Sequence, residues 1–251
     1  MGASTTFNLY PLRFRFATCK LRDFSANTLR GAFGSALKKT DADAYARYFA
    51  PRRAAGSGPS GLADPPRPFV FRMLGPLEVG INLFLTREPA LGLFTRVMEE
   101  LGTLSSVAGT EPLHLSLCVT EPQVCRLRVH FLTPTELKGA EQPEFGVLLA
   151  RVRDRVSTLR ELYGDGPLAI DFKRFGERAR RVPMTRCELI PVAAARTSRG
   201  TGRSHSLGGF TGVAEYDGDL AEFLPYLEIA RWTGVGRQTV WGKGEISYET
   251  F

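Results

Sequence analysis

Histidine is nearly missing from this chain: three occur in 251 residues, and none precedes His114. The four cysteines, Cys19, Cys118, Cys125 and Cys187, show no Cys-x-x-Cys pair. With so few imidazoles to join them, they argue against a structural zinc site and read as buried reduced thiols. Nothing points to a metal or another cofactor. No apolar run approaches the length of a membrane-spanning helix, and Met1 to Thr6 lacks the basic start and apolar core of a secretion signal. These absences predict a soluble cytoplasmic chain with no membrane partner. Lysine is also scarce, six residues against 27 arginines. The formal net charge of +7 and the pI near 9.5 therefore rest on guanidinium groups, which fork onto phosphates and stack on bases. Such an excess favours a polyanionic partner.

What is present is a period that switches in a repeated order. Leu12, Phe14 and Phe16 alternate with Arg13 and Arg15, as in a half-buried strand. Ser25 or Asn27 then caps a helix on Leu29, Phe33, Ala36 and Leu37. Beyond a Pro/Gly/Ser-rich stretch at 51–68 that reads as a flexible insertion, a strand pair crosses Gly75-Pro76. A helix on Leu91, Phe94, Met98 and Leu101 follows, then a strand on Leu113, Leu115, Leu117 and Val119. The second half repeats this order: a strand on Leu127, Val129 and Phe131, a helix from Phe145 to Leu159, and two longer strands around Arg196 to Ser206. It closes with a helix from Leu220 to Thr233 and a last strand from Gly244. The order β-α-β-β-α-β, twice, predicts an α+β chain of two tandem ferredoxin-like domains with antiparallel sheets, 1–121 and 122–251. Sheet faces left bare in such a pair suit an extended ligand.

The last turn region, Gly234-Val235-Gly236-Arg237-Gln238-Thr239-Val240-Trp241-Gly242-Lys243-Gly244, holds two Gly-x-Gly pairs around a basic centre. Glycines without Cβ let a backbone approach a phosphate, and Arg237 and Lys243 would add charge. A helix before the loop and a strand after it reverse the order of a dinucleotide-binding fingerprint, and no P-loop spacing follows. A tight turn with Gly234 capping the helix remains the competing reading. Between Asp171 and Arg203 lie nine basic residues, Lys173, Arg174, Arg178, Arg180, Arg181, Arg186, Arg196, Arg199 and Arg203, against three acidic ones. The loop from Arg196 to His205 reads either as a basic finger that orders on RNA or as a solvated hairpin tip. Arg126, Arg128 and His130 share one strand face and suit either a basic sheet surface or ordinary exposed positions.

In these features the chain resembles the CRISPR precursor-RNA processing endoribonucleases of the RAMP superfamily. The Gly234 to Gly244 loop matches their C-terminal glycine-rich signature, with Lys243 standing where an apolar residue is usual. Leu29-Arg30-Gly31-Ala32-Phe33-Gly34, Phe131-Leu132-Thr133-Pro134 and Leu207-Gly208-Gly209-Phe210-Thr211-Gly212 look similar to the same family, in order along the chain.

The resemblance implies binding of a CRISPR repeat RNA hairpin and metal-independent cleavage at the base of its stem, by attack of a 2′-OH on the adjacent phosphorus. The products would be a 2′,3′-cyclic phosphate and a 5′-OH. It also implies retention in an effector complex with other CRISPR subunits, and leaves a second copy of the chain open as a partner. Relatives often place a histidine in or after the first helix, where this chain has none. His205 is the one histidine in a basic loop, and its ordinary pKa suits proton transfer. Lys38, Lys39, Tyr45 and Tyr48 offer a charge and two phenols after the first helix instead. The competing reading is a subunit that grips guide RNA without cutting it.

Overall fold

A computed structural model describes residues 6–51, 65–84, 90–109, 111–119, 123–193, 195–197, 204–206 and 208–251, with only the backbone described at 195–197 and 204–206. The chain divides into two compact units. Residues 1–115, 157–168 and 240–242 form the first, and 116–156, 169–239 and 243–251 the second.

In the first unit β1 (Thr6–Cys19) alternates apolar and polar residues, and Leu12, Phe14 and Phe16 are buried. Ser25 caps α1 (Ala26–Thr40) by accepting from the Thr28 amide, and Asp23 holds the Ser25 hydroxyl at 2.6 Å. Asp41 stops α1 in extended backbone and starts the short α2 (Ala42–Ala44) by accepting from the Ala44 amide. This turn widens into a π-helical turn, Tyr45–Phe49. Next come β2 (Phe69–Gly75), β3 (Glu78–Phe84), α3 (Leu91–Glu99), β4 (Gly102–Gly109) and β5 (Leu113–Ser116). The sheet order is β2-β3-β1-β4, with antiparallel pairs throughout and β5 on β1.

One sequence expectation needs correction here. The strand that closes this sheet is β4, whereas the stretch around Leu113 supplies only the short β5. β4 lies at the sheet edge, and beyond Gly102 its residues are exposed or half-buried. An edge strand without a buried face carries no alternating apolar signal.

The second unit repeats the topology. β6 (Arg126–Thr135), β7 (Met184–Val192), β10 (Gly209–Asp217) and β11 (Ile246–Thr250) pair antiparallel in the order β11-β6-β10-β7. α4 (Phe145–Tyr163) and α6 (Leu224–Thr233) supply the two helices of the repeat. Between β7 and β10 the short strands β8 (Ala195–Thr197) and β9 (Ser204–Ser206) pair as a separate hairpin, with Arg196 opposite His205. An extra helix, α5 (Phe172–Arg180), is inserted where charge clustering alone suggested a basic segment. Its signal is present in the sequence: Asp171 caps it, and Phe175 and Ala179 are its buried stripe. The two ferredoxin-like sheets confirm the fold class. The insertion at 51–68 lies outside the described residues from 52 to 64. Cys19 and Cys187 are half-buried, while Cys118 and Cys125 are exposed, so the expectation of four buried thiols is not met.

Each unit has an aromatic centre. In the first, the Phe33 ring lies 5.9, 5.4 and 5.1 Å from those of Phe69, Phe71 and Phe94. Gly34 beside it leaves room for Phe49, whose ring would stand 2.4 Å from a Cβ at that position. In the second, Phe145 meets Tyr216 and Phe223, and Phe175 meets Phe223 and Tyr226. The Tyr216 hydroxyl donates to the Pro143 carbonyl at 2.6 Å, and burial pushes its pKa up. Phe33→Ala opens a cavity at the hub of the first centre and is expected to cost about 3–5 kcal/mol, read as a lower denaturation midpoint with unchanged slope.

Candidate nucleic-acid interface

The glycine-rich loop is built on the end of β6. The Gly244 amide donates to the Pro134 carbonyl at 3.1 Å and the Arg237 amide to the Glu136 carbonyl at 3.0 Å. The Val235 amide donates to the Gly244 carbonyl at 2.8 Å, closing the loop on itself. Gly236 (φ 81) and Gly244 (φ 69) make this approach possible, since a Cβ would stand 2.4 Å from the Glu136 carbonyl oxygen and 1.9 Å from that of Val235. Gly234 caps α6, with φ 73 and its amide donating to Ala230. The amides of Gly234 and Gly244 are therefore used inside the protein rather than turned toward an anion. The loop is a rigid turn that presents side chains.

Its two cations have different surroundings. Arg237 is exposed and meets the Glu136 carboxylate at 2.7 Å. Lys243 is buried, 5% exposed. Its ammonium donates to the Gly208 carbonyl at 2.6 Å and to Gln238 Oε1 at 3.0 Å, with Glu136 at 3.7 Å. Burial lowers its pKa and Glu136 opposes that shift. Lys243 thus fastens the glycine-rich loop to the residue just before β10.

The charge of the second unit is distributed unevenly. On the open sheet face Arg128 bonds Glu215 at 2.8 Å and Glu249 at 2.6 Å, Arg186 meets Glu188 and Glu215, Arg126 meets Asp217, and His130 meets Glu249. Arg128 holds both glutamates below the usual carboxylate range, chiefly by hydrogen bonding. Of the two readings left open for this face, that of a bare basic surface is set aside by the pairing. α5 is different. Lys173, Arg174, Arg178, Arg180 and Arg181 are all exposed on it or at its end. Arg178 forks onto Glu222 at 2.5 and 2.7 Å, and Arg174 stands 3.5 Å from Asp171 with 78% of its side chain exposed. The side chains of Arg196, Arg199, Arg203 and His205 lie outside the described residues.

In the first unit Lys38 is exposed on the last turn of α1, its ammonium 5.8 Å from the Tyr45 ring. Tyr45 stacks on Phe49 at 5.2 Å. Tyr48 packs edge-on against Phe94 at 5.7 Å and is 8% exposed. Tyr48 also lines a pocket of about 410 Å³ with Asp41, Asp43, Arg47 and the start of α3. Charge counting does not find this pocket, because two aspartates and one arginine make no charge cluster. Among the described residues no group of three His, Cys, Asp or Glu side chains is placed to share a metal ion, and no helix is long and apolar enough to cross a membrane.

Two outcomes follow from these contacts. Lys243→Met leaves the Gly208 carbonyl without its donor and is expected to cost about 1–3 kcal/mol in urea unfolding. Glu215 and Glu249 have folded pKa values depressed by Arg128, so their contribution is present above the ordinary carboxylate range and lost as pH falls through the lowered values. The gap in thermal midpoint between the wild type and Arg128→Gln is therefore expected at pH 7 and to shrink below about pH 4.

Comparison with known proteins points the same way. Residues 129–246, from β6 to the first residue of β11, match the family model of the CRISPR-associated endoribonuclease Cas6. No curated protein matches the sequence. A Thermus thermophilus Cas6, in a product complex, is 16% identical over 98% of this chain and 100% of its own, with a TM-score of 0.59. A second Cas6 product complex is 19% identical over 96% of this chain and 99% of its own, also at 0.59. In a Cas6-RT-Cas1–Cas2 complex the matched chain is 10% identical, with 98% of this chain aligned to 29% of its length and a TM-score of 0.56. At such identities the structural likeness is one of fold. The resemblance drawn from the sequence is thus supported on two counts: residues 129–246 carry the Cas6 family signature, and the chain has the tandem ferredoxin-like fold of the Cas6 endoribonucleases.

Proposed function

We propose that this protein binds the hairpin of CRISPR repeat RNA and cuts it, without a metal, at the base of the stem. The observation that carries this is the Cas6 match across 129–246, the stretch that holds both the glycine-rich loop and α5. Exposed guanidiniums at Arg174, Arg178, Arg180, Arg181 and Arg237 grip the phosphate backbone, and the basic hairpin with Arg196, Arg199 and Arg203 adds contacts. Gly234, Gly236, Gly242 and Gly244 shape the loop that presents Arg237. Lys243 holds that loop in place.

In the reaction the ribose 2′-oxygen attacks phosphorus and loses its proton to a base. The bond from phosphorus to the 5′-oxygen breaks, and an acid protonates that oxygen. A cation steadies the charge on the phosphorane. His205 suits proton transfer, Lys38 the charge, and Tyr45 the orientation of the ribose. Tyr48, buried except for its edge on the pocket, suits contact with the RNA more than proton transfer. The cut RNA stays on the protein and passes with it into a complex with other CRISPR proteins; association of this kind is supported by the Cas6-RT-Cas1–Cas2 complex of another Cas6.

Hairpin repeat RNA incubated with the protein in EDTA is expected to give a 5′-OH fragment and a cyclic phosphate at the stem base. His205→Ala is expected to slow single-turnover cleavage at least about 100-fold. Unchanged cleavage in that variant moves the proton transfer to Lys38 and Tyr45. Tight binding without cleavage overturns the enzyme and leaves an RNA-gripping subunit. Arg237→Ala is expected to weaken RNA binding and flatten its salt dependence by about one phosphate contact; an unchanged slope removes Arg237 from the interface.

A further inference from the structure

The pocket in the first unit is lined by polar groups of which only Asp41 has a hydrogen-bonding role in the fold. It is about 410 Å³, within the roughly 300–1,000 Å³ of small-molecule sites. Three pieces of backbone build it. Asp41 turns the chain from α1 into α2, the π-helical turn brings the exposed Arg47 and the buried Tyr48 to the pocket, and Ala90, Gly92 and Leu93 at the start of α3 form the facing wall. Such π-helical turns interrupt regular helix at a cost and recur at functional sites.

The polar groups are unequal in what they already do. Asp41 spends one carboxylate oxygen on the Ala44 amide. Among the described residues, neither Asp43 nor the Arg47 guanidinium has a hydrogen-bond or ion-pair partner, and Arg47 lies over the Tyr48 ring at 5.9 Å. The most telling group is Tyr48: 8% exposed, it lines the pocket and has no hydrogen-bond partner for its hydroxyl among the described residues. On the facing wall the N-cap residue of α3 is Ala90, whose side chain cannot cap the helix, and a Cβ at Gly92 would meet nothing within 4 Å.

We infer that this pocket holds an unpaired guanine base of the bound RNA, read by the Asp43 carboxylate. A carboxylate only accepts. Of the four RNA bases, guanine alone presents two adjacent N–H donors, N1–H and the N2 amino group, on its Watson–Crick edge. Adenine and cytosine set an amino donor beside a ring-nitrogen acceptor that a carboxylate repels, and uracil flanks its one N–H with two carbonyls. The Tyr48 hydroxyl is a donor for O6, completing the edge. Two carboxylates against one guanidinium also disfavour a bare phosphate here, so the base enters and Arg47 is left for the flanking backbone. The inference deepens the RNA reading above and rests on it.

Nucleosides test it directly, because the four natural ones are uncharged and do not respond to the basic surfaces. In saturation-transfer NMR with the full-length protein, guanosine is expected to bind in preference to adenosine, cytidine and uridine. Asp43→Asn exchanges an acceptor for a donor and is expected to weaken guanosine about tenfold while gaining xanthosine, which carries a carbonyl at C2 in place of the amino group. A merely structural role for Asp43 would not move that preference. Tyr48→Phe is expected to weaken guanosine without gaining xanthosine. Equal signals from the four nucleosides, or a guanosine preference untouched in Asp43→Asn, overturn the inference. A guanosine-selective protein that neither binds nor cuts hairpin RNA would keep the pocket and remove the reading above. A protein that cuts the hairpin with no nucleoside preference would do the reverse.

Discussion

The second unit depends on one close backbone contact, that of the 234–245 segment with the residues at the end of β6. Amides of Arg237, Gly244 and Glu245 are all satisfied by Thr133, Pro134 and Glu136. In return, the Leu132 amide donates to the Glu245 carbonyl at 2.9 Å. This contact ends α6, starts β11 against β6 and fixes where Arg237 emerges. It leaves no space for side chains at Gly236 and Gly244. Because the loop is held by its own hydrogen bonds, ordering it upon RNA binding costs little entropy, and a rigid surface gains affinity by that saving.

Lys243 extends the same contact toward the basic hairpin. An ammonium at this depth is expensive unless its hydrogens are satisfied, and here Gly208, Gln238 and Glu136 surround it. The charge that composition assigns to RNA binding is therefore spent on architecture, where a neutral residue would pack but not bond. The sheet face of the same unit shows a second form of the same economy. Arg126 and Arg186 are exposed and Arg128 half-buried, yet each meets a carboxylate from a neighbouring strand. Among the described residues of the second unit, α5 gathers exposed cations most densely, with Lys173, Arg174, Arg178, Arg180 and Arg181 on it or at its end.

Much of the fold was legible because its elements bury one face. β1, α1, α3, β6, α4 and α6 carry their period in Leu, Phe and Val, and all of them form. What escaped had no buried face or a misleading one. β4 is an exposed edge strand, and the stripe of α5, Phe175 and Ala179, was masked by the cations around it. The site was less legible. The loop could be found from glycine spacing, but spacing cannot tell whether an amide faces an anion or the Pro134 carbonyl. Glu136 lies 101 residues from Arg237, and Glu249 lies 121 from Arg128. No local pattern joins such partners. Asp43, Arg47 and Tyr48 are near in sequence, yet only the π-helical turn brings them to one pocket with Gly92.

The scarcity of histidine acquires a physical consequence at this point. Lysine and tyrosine side chains are poor bases near neutrality, so a centre built from Lys38 and Tyr45 would contribute charge and orientation rather than strong proton transfer. Holding a 2′-OH in line with phosphorus then accounts for most of the acceleration, and positioning can supply several kcal/mol of a barrier. Positioning requires grip on both sides of the reacting bond. A base held in the Asp43 pocket would fix the strand on the same unit that carries Lys38 and Tyr45. A chain that cuts chiefly by immobilising its RNA also releases the product slowly, since the contacts that orient the substrate persist after the bond is broken. In a centre without the His205 imidazole, weak acid–base chemistry and retention of the cut RNA would be two results of the same arrangement.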